Sequence, residues 1–312
     1  MIDSPNTKLS LIVPVFFEQE VIKQFIKEVI EELVFLALSY EIVFVDDGSQ
    51  DNTVNLIKEE AIKNEHIKLL ELSYNHGKQA AVTAGISYAS GDYMLYMDPD
   101  LQDPPKEIKK FIDEIEKGYD LVFGVRKEKK DSFKNKIFSK IFWSVLDKYT
   151  GLNLPRGLAV MRIFNKDFAE RFLMYNEQNR FIEGLFMHVG MNQSVIEIEQ
   201  RPRFAGVSKF NFKRKMNLAF DAIFDFSELP LKLAVKFGVF LIFFGGIALF
   251  LILIIKLFFV DFQSGWPSIF GFLILSLGIQ LFFIGLLAIY TGRIYKESKS
   301  RPLFSIKEKT NI

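Results

Sequence analysis

The chain has 312 residues, 49% of them hydrophobic and 34 of them Phe, with a formal net charge of +1 and no cysteine. A near-neutral total gives no general attraction to nucleic acid. The lack of thiols excludes disulfide staples, thiolate metal sites and cysteine nucleophiles.

The polar start MIDSPNTKLS runs directly into a strand-like LIVPV, which predicts that the front of the protein stays in the cytoplasm. Strands are predicted at Leu9–Val15, Glu41–Asp46, Ile67–Leu72, Tyr93–Asp98 and Leu121–Val125. Helices are predicted between them at Gln19–Leu38, Thr53–Asn64, Gln79–Ser90 and Pro105–Lys117. Several of the strands are apolar on both faces. Together with the strand–helix alternation, that predicts an α/β fold whose mostly parallel sheet is covered on both sides. Such sheets take ligands beyond the carboxyl ends of their strands. Asp46-Asp47-Gly48-Ser49 and Asp98-Pro99-Asp100 fall at two of those ends.

Residues 131–150 change character. Phe133, Ile137, Phe138, Ile141, Phe142, Val145 and Leu146 recur at helical spacing, with Lys134, Lys136 and Lys140 opposite and Trp143 and Tyr149 nearby. A basic amphipathic helix with aromatic tips suits the plane of a membrane interface. Residues 201–215 then carry six basic residues and no acidic one, and 209–232 form a second, Phe-rich amphipathic stretch. Phe237–Ile255 and Phe262–Gly292 are both free of charge, and a span needs roughly 20 apolar residues. Their polar turn lacks Lys and Arg, whereas Arg214, Lys215, Lys232, Lys236, Arg293, Lys296, Lys299 and Arg301 flank them. The positive-inside rule therefore predicts a transmembrane hairpin with both termini in the cytoplasm. The expected division is a catalytic domain over 1–208, a juxtamembrane helix over 209–232, two spans within 233–292 and a cytoplasmic tail over 293–312.

Two carboxylates one residue apart, Asp98 and Asp100, can share a hard divalent cation whose other positions take phosphate oxygens. A D-x-D pair alone is equally a turn former, and Asp46-Asp47-Gly48-Ser49 is also a good turn and helix cap. Order along the chain makes the motifs more specific. Val13-Pro14-Val15-Phe16-Phe17-Glu18, Asp46–Ser49, Asn75-His76-Gly77-Lys78 and Asp98–Pro105 resemble the ordered motifs of family 2 glycosyltransferases with the Rossmann-like GT-A fold. Asn179–Leu185 and Arg203–Phe210 are similar to the polyprenyl-phosphate branch of that family, which includes dolichyl-phosphate mannose synthase and the GtrB-type undecaprenyl-phosphate glucosyltransferases.

The resemblance implies a nucleotide-sugar donor, a polyprenyl phosphate acceptor and Mg2+ or Mn2+ as cofactor. It implies a donor site of Pro14, Phe16, Glu18, Asp46, Asp47, Lys78 and Asp98, and a metal held by Asp98, Asp100 and Gln102. Arg126 would lie near the phosphates, and Lys136, Arg203, Ser208 and Lys209 would meet the acceptor phosphate. Asp100, Arg126, Arg203 and Lys209 are the implied catalytic group. UDP-glucose is the leading donor the resemblance implies, with GDP-mannose and other UDP-sugars open beside it, and relatives form tetramers. Two departures stand out. Phe17 replaces a frequent Asn, and Leu154–Arg162 keeps an Arg but lacks the acid of a D-F-R-like stretch. No general base is assigned, and an acceptor phosphate that is already ionised does not require one. Two other readings are a processive polysaccharide synthase and an inactive membrane scaffold. The first calls for a Q-x-x-R-W element that Gln178-Asn179-Arg180-Phe181 does not supply.

Overall fold

The structure is a computed structural model that describes residues 7–126, 155–178, 180–202, 204, 229–258 and 265–312. The expected interface helix at 131–150 and most of the juxtamembrane stretch, with Lys136, Arg203, Ser208 and Lys209, lie outside the described residues. The described residues fall into two units, 7–204 with 302–312, and 229–301.

In the first unit the strands are β1 (Lys8–Val15), β2 (Ser39–Asp46), β3 (Ile67–Leu72), β4 (Tyr93–Tyr96), β5 (Leu121–Arg126), β6 (Leu158–Asn165), β7 (Gln193–Ile198) and β8 (Ile306–Thr310). The helices are α1 (Ile22–Phe35), α2 (Thr53–Lys63), α3 (Lys78–Tyr88), α4 (Ile108–Ile115), α5 (Lys166–Leu173) and α6 (Ile182–His188). One sheet runs in the order β7-β5-β6-β4-β1-β2-β3-β8. The pairs β1–β2, β1–β4, β2–β3 and β5–β7 are parallel, whereas β6 and β8 pair antiparallel with their neighbours.

Alternation along the strands divides the core in two. Leu11, Val13, Val15 and Phe44 face Phe25, Ile26, Val29 and Leu33 of α1 and Phe111 of α4. Val43, Val45, Leu70 and Leu72 face the other way, against Ala81 and Ala84 of α3. The small residues of α3 let it lie very close to the sheet: a Cβ on Gly85 would stand 2.5 Å from Ile12 Cγ2. That close approach delivers the N-terminus of α3 to the strand ends where ligands bind. Beyond β6, the rings of Phe164, Phe168, Phe172 and Phe186 lie 4.8–5.5 Å apart and fasten α5 and α6 to the sheet.

Residues 302–312, grouped in the sequence with a cytoplasmic tail, return to the sheet instead. β8 pairs antiparallel with β3, and Phe304 and Ile306 pack on the α3 side of the core. Lys58 bridges Glu71 at 2.5 Å and Glu308 at 3.0 Å, and the Asn311 amide donates to the carbonyls of Ala61 and Ile67 at 2.9 Å each.

The second unit holds α7 (Leu229–Phe258) and α8 (Trp266–Ser298). Among the described residues, Phe272–Ser298 is long and apolar enough to cross a membrane. Phe272, Leu273, Leu277, Phe282, Ile284 and Leu287 of α8 are exposed, as are Phe240, Phe243 and Leu251 of α7. Contiguous apolar surface of this kind is unfavourable in water and suits hydrocarbon.

Candidate active site

The site begins where β1 parts from β4. Their ladder ends at Ile12 and Tyr96, whereas β1 stays paired with β2 as far as Val15 and Asp46. Pro14 has no N–H to donate, and it sits where the β4 side needs none. Strand order reverses here, with β1 followed outward by β2 and β3 on one side and by β4 on the other. A reversal of this kind opens a crevice at the strands' carboxyl ends. The turns after β1, β2, β3 and β4 line that edge.

The turn after β2 carries both acids of Asp46–Ser49 almost fully buried. Asp46 Oδ2 accepts from the N–H groups of Gly48 (3.1 Å) and Ser49 (2.9 Å), while its buried Oδ1 has no partner among the described residues. Burial raises the Asp46 pKa above the usual carboxylate range, and its bonds to Ser49 and Gly48 only partly offset this. Asp47 points toward α3. Its Oδ1 accepts from His76 N at 2.7 Å, and Oδ2 accepts from Gly77 N at 3.0 Å. It too is raised by burial against those two hydrogen bonds. Gly48 is required by space as well as by its φ of 80°, since a Cβ there would meet Asn75 N and Tyr74 C at 2.9 Å. Phe17 donates its N–H to Ser49 Oγ at 3.0 Å and is exposed beside Phe16, with the two rings 4.3 Å apart. The backbone of Glu18 ties the turn down: its N–H donates to Thr53 Oγ1 at 2.9 Å, and its carbonyl accepts from Val21 and Ile22 at the start of α1.

The turn after β4 holds the D-x-D pair. Asp98 Oδ2 accepts from Lys78 Nζ at 2.7 Å, so the first residue of α3 meets the first acid of the pair. Asp100 Oδ1 accepts from Gln102 N at 3.1 Å, around a tight turn in which Leu101 has a φ of 57°. The backbone N–H of Arg201 donates to the Gln102 carbonyl at 2.9 Å, and that of Phe204 to the Asp100 carbonyl at 3.4 Å. Arg201 and Phe204 therefore lie beside the acidic turn, and Arg203 is outside the described residues. Arg126 sits at this turn with its guanidinium on Asp103, Nε at 3.1 Å and Nη2 at 2.9 Å from Oδ1. Asp103 is buried, so this pair fixes the turn as well as carrying charge.

Among the described residues no cluster of three or more His, Asp or Glu side chains could hold a metal by itself. Asp98 and Asp100 fit a cation that takes one or two carboxylates and leaves its other positions to water and substrate phosphate, which is the habit of Mg2+. Both are only partly buried, and carboxylate oxygens are the ligand type that suits a hard ion.

Arg162, the Arg kept in the Leu154–Arg162 stretch, lies opposite Tyr96 at the end of β4. Arg162, 1% exposed, faces the rings of Tyr96 (5.4 Å), Phe123 (5.5 Å) and Phe186 (4.8 Å). Its Nε donates to the Val160 carbonyl at 3.0 Å and its Nη2 to that of Ala159 at 3.3 Å, while Nη1 has no partner among the described residues. Burial lifts the Tyr96 phenol above its usual range, although Lys78 and Arg162 nearby pull the other way. Asp98 and Glu183 act on Tyr96 as well, so these five groups share one electrostatic neighbourhood. Cross-strand register was the signal that would have joined them, because Arg162 lies opposite both Tyr96 and Phe123.

A Rossmann-like sheet with acidic turns gathered at its switch point is the frame of a GT-A transferase. The model of glycosyl transferase family 2 matches residues 10–173. The Bacillus subtilis glycosyltransferase YkcC is 33% identical over 310 residues, covering 99% of this chain and 96% of its own. The bactoprenol glucosyl transferase of Shigella phage SfV is 34% identical over 301 residues, 96% of this chain and 98% of its own. The undecaprenyl-phosphate 4-deoxy-4-formamido-L-arabinose transferase of Proteus mirabilis is 30% identical over 308 residues, 98% of this chain and 94% of its own. The chain belongs to glycosyl transferase family 2 and is an enzyme of the GT-A fold.

Proposed function

We propose that this enzyme transfers a sugar, with inversion, from a nucleotide-sugar to a polyprenyl phosphate at the cytoplasmic face of the plasma membrane. The observation that carries the reading is the meeting of Asp46–Ser49 with Asp98–Asp100 at one sheet edge, in a chain alike end to end to lipid-phosphate sugar transferases. Undecaprenyl phosphate is the proposed acceptor and UDP-glucose the proposed donor. The second choice rests on the glucosyl transferase among the relatives.

Asp46 presents an unpartnered oxygen to an N–H or O–H of the nucleoside, with Pro14, Phe16 and Glu18 shaping the same pocket. Asp47 holds the start of α3 so that Lys78 and Asp98 face each other at the diphosphate. Asp98, Asp100 and Gln102 would hold a divalent cation, Mg2+ or Mn2+, which would supply charge neutralisation for the departing diphosphate. An oxygen of the acceptor phosphate attacks the sugar's anomeric carbon, the bond from that carbon to the donor phosphate breaks, and a nucleoside diphosphate leaves. The acceptor phosphate is already an anion, so the protein's task is to position it. Arg203, Ser208 and Lys209, with Lys136, are the proposed grip on it, since Arg offers a planar fork and Lys a point charge. Arg126 serves by bracing the metal turn through Asp103. The proposed anchor is a hairpin of α7 and α8 with the catalytic domain and both termini in the cytoplasm, and a homotetramer is the proposed assembly.

Arg203→Ala tests the division of labour. Transfer to the lipid is expected to fall at least about tenfold, the scale of one lost charge-assisted contact, while slow hydrolysis of the donor is largely kept. An equal loss of both would assign Arg203 to the donor or to the fold.

A further inference from the structure

The Tyr74–Lys78 turn is held lightly for a segment that delivers Lys78 to the site. Ser73, Tyr74 and Asn75 are exposed, and at Gly77, where φ is 93°, a Cβ would meet nothing within 4 Å. On the inner side the Asp47 carboxylate takes the N–H groups of His76 and Gly77. On the outer side the grip comes from a segment more than two hundred residues away in the chain. Ser305 N donates to His76 Nε2 at 3.3 Å, and Ser73 N donates to the Ser305 carbonyl at 2.9 Å. The Ser73 and Ser305 hydroxyls also pair. The His76 ring lies against Tyr74 with centroids 3.9 Å apart, which leaves its imidazole edge for the Ser305 N–H, with Ser73 Oγ more distant at 3.5 Å from the same Nε2. To accept there, the ring must be neutral with its proton on Nδ1.

Ser305 immediately precedes β8, and β8 is fastened to β3 by its ladder and to α2 by the Lys58–Glu308 bridge. The anchoring is thus rigid on the β8 side and on the Asp47 side, with His76 between them. We propose that the C-terminal strand is a working part of the donor site, with Ser305 and His76 as positioning residues that fix the Asn75–Lys78 turn for a nucleoside diphosphate. The proposal rests on the donor-site reading above. It adds that the last eleven residues of the chain set donor affinity without touching the donor.

The test uses full-length protein in detergent and isothermal titration with UDP and GDP in the presence of Mg2+, beside steady-state transfer kinetics. His76→Ala is expected to weaken nucleotide binding and raise the KM for the donor about tenfold, with kcat within about twofold, the scale of a lost positioning contact. His76→Gln, whose side-chain carbonyl can accept the same N–H, is expected to restore most of the affinity. Ser305→Pro removes the N–H but keeps the carbonyl that serves Ser73, and is expected to match His76→Ala. The double variant is expected to be no worse than either single one, because both remove the same contact.

Nucleotide affinity within twofold of wild type in His76→Ala would overturn the proposal and leave the donor-site reading standing. Losses that multiply in the double variant would overturn it as well. If Ser305→Pro lowers the melting temperature sharply, the comparison of His76→Ala with His76→Gln decides alone. Wild-type protein that binds neither nucleotide would overturn the donor-site reading itself.

Discussion

At the residue scale the two acidic motifs do different work. Asp47 holds the backbone of His76 and Gly77, whereas Asp46 keeps one buried oxygen without a partner among the described residues. Loss of either D-x-D acid should remove charge neutralisation worth several kcal/mol, so Asp98→Ala and Asp100→Ala are expected to lower kcat/KM on the order of a hundredfold or more. Membrane extraction and melting temperature should stay close to wild type. Full activity in both variants would dismiss the metal assignment. Arg162 makes the opposite kind of prediction. Among the described residues it is a buried cation that meets two carbonyls and three rings, and buried charged groups are often replaced by apolar ones without loss of stability. Arg162→Met is expected to keep or raise the melting temperature while lowering transfer roughly tenfold, because the cation offsets Asp98 and Glu183 around Tyr96. A parallel fall in both readouts would make it a folding residue alone.

Far from the site, Glu41 is buried under Lys68, Lys8, Ser10 and the Ser90 N–H. Burial alone would raise its pKa, but these partners bring it from its ordinary 4.5 to about 2. A lowered folded-state value means that the stabilisation is whole above about pH 4.5 and is lost as the pH falls toward 2. It amounts to roughly 3 kcal/mol. Glu41→Gln should therefore cost stability at neutral pH and flatten the acid limb of a pH–stability curve measured by urea unfolding. An unchanged acid limb would assign the acid sensitivity to other carboxylates.

At the scale of elements, legibility followed the strength of the hydrophobic signal. β1, β2, β3 and β5 stand within a residue or two of their expected bounds because nearly every residue in them is buried on one face or the other. β4 ends at Tyr96 rather than Asp98, since Met97 makes only one further bond, to Ile12, before the turn begins. β6 escaped notice because Arg162 interrupts an otherwise apolar run, and nothing local says that three aromatic rings will receive it. β8, with the sequence IKEKT, reads as a solvated tail. An edge strand buries little, and charge there protects against unwanted pairing. The same limit applies to the site: the acidic motifs were legible by their order, but the Asp103–Arg126 brace and the Ser305–His76 contact are products of the third dimension. The close seat of α3 gives a prediction of its own. Gly85→Ala drives a methyl group into Ile12 and should cost about 1–3 kcal/mol, read as a lower melting temperature. In an Ile12→Ala background the same change should cost less than it does in wild type, and equal melting temperatures for Gly85→Ala and wild type would mean that α3 is not pinned there.

At the scale of the whole molecule, a catalytic unit that ends in its own sheet strand is joined to a pair of long helices whose apolar side chains face outward. That surface calls for lipid, and a lipid-bound phosphate is the acceptor that such an enzyme would meet. The most direct test is a transfer assay with purified protein in detergent, undecaprenyl phosphate, Mg2+ or Mn2+ and a panel of nucleotide-sugars. The account predicts a lipid-linked monosaccharide phosphate from one donor, UDP-glucose foremost, abolished by chelation and by Asp98→Ala. A lipid-linked product that forms equally well without the metal or without Asp98, or no such product from any donor in the panel, would contradict it.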